Sequence, residues 1–105
     1  MDIVTYATHE EGTLKNLVNN RYGVPVKVLG MGKSWNGFTD KIIGVRDYCR
    51  SVEPSRVVVF LDGFDSVINR DPSGVYDIFK EKNCKILFSN DYINSTNAYS
   101  PLRYW

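Results

Sequence analysis

Cysteine is scarce in this chain of 105 residues: Cys49 and Cys84 are the only two, and they have no CxxC spacing. That excludes a cysteine-built metal cage. Each lies in or beside an apolar helix or strand pattern, so buried thiols are expected, and a reducing compartment fits them. Long apolar runs are missing too. None approaches the roughly 20 residues a membrane helix needs, and no membrane partner is expected. The N-terminus, Met1-Asp2-Ile3-Val4-Thr5-Tyr6, has neither a basic leader nor a long apolar stretch, so no signal peptide is read and a cytoplasmic location is favoured. Charge of one sign is also lacking. Thirteen basic and twelve acidic side chains leave a formal net charge of +1, with no polybasic arm and no acidic tail. Such a balance gives no global pull toward nucleic acid. Histidine occurs once, as His9.

What is present is a hydrophobic content of 43% with 13% aromatics, enough for a folded core in one domain. The densest signal is Val57-Val58-Val59-Phe60-Leu61-Asp62-Gly63-Phe64-Asp65. Five consecutive apolar residues run into two carboxylates three positions apart. A run of that kind reads as a strand buried on both faces, as in the middle of a parallel sheet. A carboxylate is costly to bury unless it is paired or bound to a cation. Asp62 and Asp65 are therefore expected where the strand emerges, in the crevice where open α/β sheets bind ligands. Two hard oxygen donors there suit Mg²⁺ or Mn²⁺, and such a cation suits a diphosphate. The competing reading is a plain Asp-Gly turn with both carboxylates solvated.

Along the chain, the pattern gives a strand over Ile3 to Thr8 and a helix over Glu11 to Asn20. A second strand follows over Val24 to Leu29, and a glycine-rich loop over Gly30 to Phe38. Thr39 or Asp40 caps a helix with Ile42, Val45, Cys49 and Val52 near one face, ended by Pro54. The third strand is Arg56 to Leu61. Asp71-Pro72 reads as an N-cap followed by proline at the first helical position, with Val75, Ile78 and Phe79 on the apolar face of the helix that follows. Lys85 to Ser89 reads as a fourth strand. This alternation predicts an α/β fold with a parallel, Rossmann-like sheet of about four strands and covering helices. Right-handed crossovers place Thr8, the Gly30 loop, Asp62, Asp65 and Asp91 on one rim. The stretch after it, residues 92–105, is irregular and aromatic, ending Pro101-Leu102-Arg103-Tyr104-Trp105. Its apolar rings need cover, and an open sheet edge invites pairing, so a homo-oligomer is expected.

Four ordered blocks carry a resemblance: Ile3-Val4-Thr5-Tyr6-Ala7-Thr8; Leu29-Gly30-Met31-Gly32-Lys33-Ser34-Trp35; Thr39-Asp40-Lys41; and Phe60-Leu61-Asp62-Gly63-Phe64-Asp65-Ser66-Val67. Ile86-Leu87-Phe88-Ser89 adds a fifth. Together they resemble the N-terminal part of the glycosyltransferase domain of procollagen lysyl hydroxylases and related collagen-type glycosyltransferases, over about residues 3 to 91. The resemblance implies a GT-A fold whose nucleotide-sugar-binding half is residues 1–91, a UDP-sugar donor, Mn²⁺ dependence and a sugar or hydroxylysine-type acceptor. It implies Asp62 and Asp65 as metal ligands through a DxxD pair, and Thr8 and its neighbours beside the uridine. Lys41 matches a lysine near the nucleotide-sugar and Trp35 a tryptophan at the mouth of the site, while Phe64 stands where the family usually has tyrosine. The family's third metal ligand, a downstream histidine, has no counterpart here, and neither does its mid-domain glycine-rich block. About half a domain is thus expected, a truncation or a miniature relative.

Read residue by residue, alternatives stay open. His9 is a further metal ligand from the same rim or, by preference, an exposed rim residue. Trp35 stacks on a sugar or base, or plugs the core. Lys41, near a helix N-terminus, works against the dipole, which makes a phosphate partner attractive, or is simply solvated. The catalytic base is unknown; Asp91 is a weak candidate. A haloacid-dehalogenase-type phosphatase would want its aspartates two positions apart, and a receiver domain an acidic pair after the first strand, where this chain has Ala7-Thr8-His9. Both fit poorly. The rival to a metal-dependent glycosyltransferase is a non-catalytic remnant that binds a nucleotide or oligomerises.

Overall fold

The computed structural model describes residues 1–89. In chain order they form β1 (Asp2–Tyr6), α1 (Leu14–Val18), β2 (Val26–Leu29), α2 (Thr39–Ser51), β3 (Val58–Asp62), a 3₁₀ turn (Pro72–Gly74) and α3 (Val75–Glu81). The three strands make one parallel sheet in the order β2-β1-β3. The expected α/β class with a parallel sheet holds, with three strands among the described residues and not four. Lys85 to Ser89 takes no strand partner there, although its middle residues Ile86, Leu87 and Phe88 are apolar. Asp91 and the aromatic stretch 92–105 lie outside the described residues.

Strand position explains where the core sits. β1 is flanked on both edges, so Ile3, Val4, Thr5, Tyr6 and Ala7 are all buried. Leu14 and Leu17 of α1 join them. Fully burying a side chain such as Val4 or Leu17 contributes roughly 1.5–3 kcal/mol. β3 was expected in the middle of the sheet, buried on both faces; it is instead an edge strand among the described residues, and Phe60 is exposed. The apolar run is the same, but with no fourth strand beside it among the described residues one edge is left unpaired there.

α2 crosses the face of the sheet that carries Asp2, Val4, Tyr6 and Asp62. Its residues Lys41, Gly44 and Tyr48 meet that face at Asp62, at the Tyr6 ring and at Asp2, respectively. The helix therefore runs against the strands, its N-terminus over their carboxyl ends. This corrects part of the expected apolar face: Ile42 and Cys49 are exposed, whereas Val45 and Val52 are half-buried; of the two thiols expected to be buried, Cys49 is exposed and Cys84 half-buried. The reason is Gly44, where an added Cβ would stand 2.7 Å from the Tyr6 ring. Close approach there turns the helix about one position from the face that hydrophobicity suggests. Chain crossings from β1 to β2 and from β2 past β1 to β3 run in opposite directions, so right-handedness puts α1 on the other face.

The helix start also differs in detail. Phe38 precedes α2 without a side-chain cap, and the Asp40 carboxylate accepts from the Asn36 backbone N–H at 2.8 Å. Asp71 does cap as its Asp-Pro pattern suggests, accepting from Ser73 N–H at 3.0 Å. α3 stands off the sheet. A groove of about 320 Å³ opens beside it, walled by Ile3, Val59, Leu61, Val75 and Ile78. None of the described helices is long and apolar enough to cross a membrane.

Candidate functional site

The carboxyl ends of the strands are joined into one rim by backbone hydrogen bonds. Ala7 N–H donates to the Leu29 carbonyl at 2.9 Å, and Gly32 N–H to the Thr8 carbonyl at 3.0 Å. The Gly30 loop is thereby pinned to the end of β1. Gly30 has φ +83° and lies against the Tyr6 phenol ring, so a side chain there would be strained and would collide with it. The rim thus holds Thr8 next to the loop that carries Trp35.

Trp35 is half-exposed over Tyr6, with ring centroids 6.2 Å apart, and packs edge-on against Phe38 at 5.8 Å. The Lys41 ammonium lies 5.9 Å from the Trp35 ring centroid and 5.8 Å from that of Phe38. Cations are attracted to ring faces at such distances. Lys41 Nζ donates to both carboxylate oxygens of Asp62, each at 3.3 Å. The Lys41 side chain is 20% exposed and that of Asp62 is 47% exposed. Lys41, Trp35 and Asp62, singled out from sequence, are therefore neighbours.

The loop after β3 is held by glycine contacts. Gly63 is buried, and a Cβ there would stand 2.9 Å from Thr5 Oγ1 and 3.2 Å from the Tyr6 carbonyl oxygen. Gly12, at φ +57°, lies against the Phe64 carbonyl, which also accepts from Thr13 N–H at 2.8 Å. The Thr13 hydroxyl donates to the Ser66 carbonyl at 2.8 Å. These contacts fix Asp62 to Ser66 against the start of α1. Phe64 N–H lies 3.4 Å from Asp62 Oδ1, a long and weak hydrogen bond. Asp65 is exposed and makes no side-chain hydrogen bond among the described residues.

Does this donor set suit a divalent cation? Both Asp62 oxygens already face one positive charge, the Lys41 ammonium. Hard carboxylate oxygens are the ligands that Mg²⁺ and Mn²⁺ take. Two residues of the loop qualify, and no group of three His, Cys, Asp or Glu side chains suited to a metal occurs among the described residues. His9 lies elsewhere on the rim. Its Nδ1 is 3.0 Å from Thr8 Oγ1, its Nε2 is 3.3 Å from Glu11, and its ring is 5.2 Å from that of Phe64. Asp91 lies outside the described residues.

The one strongly perturbed carboxylate among the described residues sits at the opposite end of the sheet. Arg56 and then Tyr48, both donating to Asp2, hold its pKa down at about 2. The same contacts raise the Tyr48 and Arg56 values. That cluster ties β1 to α2 and to the approach of β3, far from the rim, and reads as structural. Sequence reasoning missed Phe38, Glu11 and the Gly12-Thr13 clamp. Phe38 had a signal, a large apolar residue just before a helix in a glycine-rich loop; the clamp had none, because its contacts span about fifty residues.

A family model described as the PLOD GT domain matches residues 1–97. A procollagen-lysine,2-oxoglutarate 5-dioxygenase of Drosophila melanogaster is 29% identical over 77 residues, covering 65% of this chain. The chain spans only 11% of that relative's length. No solved structure matches.

Proposed function

This chain belongs to the PLOD GT domain family, a glycosyltransferase-like domain, and from that premise we propose that its strand-end rim binds a UDP-sugar through a divalent cation. The carrying observation is Asp62, at the carboxyl end of β3, with both oxygens accepting from the Lys41 ammonium beside Trp35 and Phe38. Asp62 and Asp65 would hold Mn²⁺ or Mg²⁺, which supplies charge neutralisation to the departing diphosphate when bound. Lys41 adds a second positive charge at the N-terminal turn of α2, which itself favours an anion. Trp35 offers a ring face for a base or sugar, and Thr8 backbone and hydroxyl groups for hydrogen bonding. Phe64 presents a ring without a hydroxyl. The acceptor, a sugar or hydroxylysine-type hydroxyl, would approach from the solvent side of the rim.

A second reading is nucleotide binding without transfer, with association of copies as the chain's role. It is supported by the edge of β3, unpaired among the described residues, and by the exposed Ile86, Leu87 and Phe88. Equilibrium binding of UDP, ADP and GDP in Mn²⁺, followed by UDP-sugar hydrolysis and transfer assays, separates the two. Preferential UDP binding with turnover supports the transferase reading; UDP binding without turnover supports the second. No preference for UDP over the purine nucleotides would overturn both.

A further inference from the structure

The position of Lys41 is unusual for a solvated helix lysine. It is the third residue of a thirteen-residue helix, where the backbone dipole disfavours a cation. Yet its side chain is mostly covered, lies against two aromatic rings and reaches both oxygens of Asp62 at 3.3 Å. The two acidic groups of the helix itself are engaged elsewhere: Asp40 with the Asn36 backbone and Asp47 with Arg46. Asp62 is thus the carboxylate that Lys41 neutralises.

We propose that Lys41 is the resident counter-ion of the cation site, holding Asp62 in the metal-free protein and transferring to the diphosphate when metal and nucleotide bind. The inference rests on the metal-nucleotide reading given above. A divalent cation and an ammonium cannot both take the same pair of carboxylate oxygens without facing each other at close range. The lysine therefore competes with the bare metal. A diphosphate reverses the sign, because it offers the displaced ammonium a new partner. Lys41 then couples the two ligands: each improves binding of the other, by the same factor in both directions. Without the lysine, Asp62 is free for the metal, and the nucleotide loses a contact.

The test titrates Mn²⁺ into the full chain and reads free Mn²⁺ by its paramagnetic resonance signal, with and without UDP, for wild type, Lys41→Gln and Lys41→Arg. For a partly exposed pair, Lys41→Gln is expected to bind Mn²⁺ alone about fivefold more tightly than wild type. Its UDP affinity in saturating Mn²⁺ should fall, so the two readouts move in opposite directions. Lys41→Arg keeps the charge and should stay within about twofold of wild type for Mn²⁺ alone. Unchanged or weaker Mn²⁺ binding by Lys41→Gln, with wild type binding Mn²⁺ normally, overturns the counter-ion role and leaves the metal-nucleotide reading standing. Equal tightening in Lys41→Arg overturns it as well. No Mn²⁺ binding by any variant, with or without UDP, removes both. Should Lys41→Gln not fold, the ¹⁵N resonance of the Lys41 ammonium in wild type decides. It should shift on addition of Mg²⁺ with UDP; a resonance unmoved at saturation overturns the exchange.

Discussion

Replacing Gly63 by alanine adds one methyl group to the loop that carries Asp62 and Asp65. The added carbon would stand 2.9 Å from Thr5 Oγ1, 3.2 Å from the Tyr6 carbonyl oxygen and 3.5 Å from the Ala7 Cβ. Thr5 cannot step aside easily. It is fully buried in the central strand, and its β-branched side chain is stiff about χ1. Either the loop lifts or β1 shifts, and overpacking of this kind costs about 1–3 kcal/mol. For a domain of this size, each kcal/mol lowers the midpoint of thermal unfolding by roughly 4–8 °C. Gly63→Ala should therefore melt about 4 to 24 °C below wild type, measured by calorimetry or circular dichroism. Adding Thr5→Ala removes the closest atom and should recover part of the loss, while the Tyr6 carbonyl keeps the rest. A double-mutant cycle gives that coupling directly. A Gly63→Ala loss below about 0.5 kcal/mol, the range of ordinary surface changes, would refute the close contact. A loss undiminished by Thr5→Ala would assign it elsewhere.

Thr5→Val should be neutral or stabilising by about 1–2 kcal/mol, because the buried Thr5 hydroxyl has no hydrogen-bond partner among the described residues; clear destabilisation in urea unfolding would reveal one. Asp2 has its pKa lowered to about 2 by Arg56 and Tyr48, so its stabilising contribution is full above the unfolded value near 3.8 and is lost as pH falls from about 4 to 2. Asp2→Asn should flatten acid unfolding in that window, and an unchanged acid transition would contradict the pairing. The β3 edge, unpaired among the described residues, and exposed Ile86, Leu87 and Phe88 favour association of copies; light scattering at tens of micromolar should give a dimer or larger, and a sharp monomer mass would oppose that.

The alternation of apolar segments made the parallel α/β order legible, because each segment's period reflects its own backbone. The Asp62 to Asp65 pattern was legible for a similar reason: an apolar run that ends in carboxylates must end at a surface. What escaped depends on contacts between distant residues. The burial of β3 turned on whether another strand covers its edge, which the apolar run itself does not encode. The face of α2 turned on Gly44 meeting Tyr6, where absence of a side chain outweighed the hydrophobicity of Ile42 and Cys49. Lys41 could be flagged as misplaced against the dipole, but its pairing with Asp62 needs β3 and α2 side by side. The Gly12-Thr13 clamp on Phe64 and Ser66 is of the same kind. Local rules see neither partner.

The central claim is that Asp62 and Asp65 bind a nucleotide diphosphate through a divalent cation. Calorimetric titration of UDP into the full chain, in Mn²⁺ and then in EDTA, tests it for wild type, Asp62→Asn and Asp65→Asn. Binding by wild type in Mn²⁺ only, with most of it lost in either variant, is the predicted result. UDP binding of equal strength in EDTA, or binding indifferent to both substitutions, would contradict it.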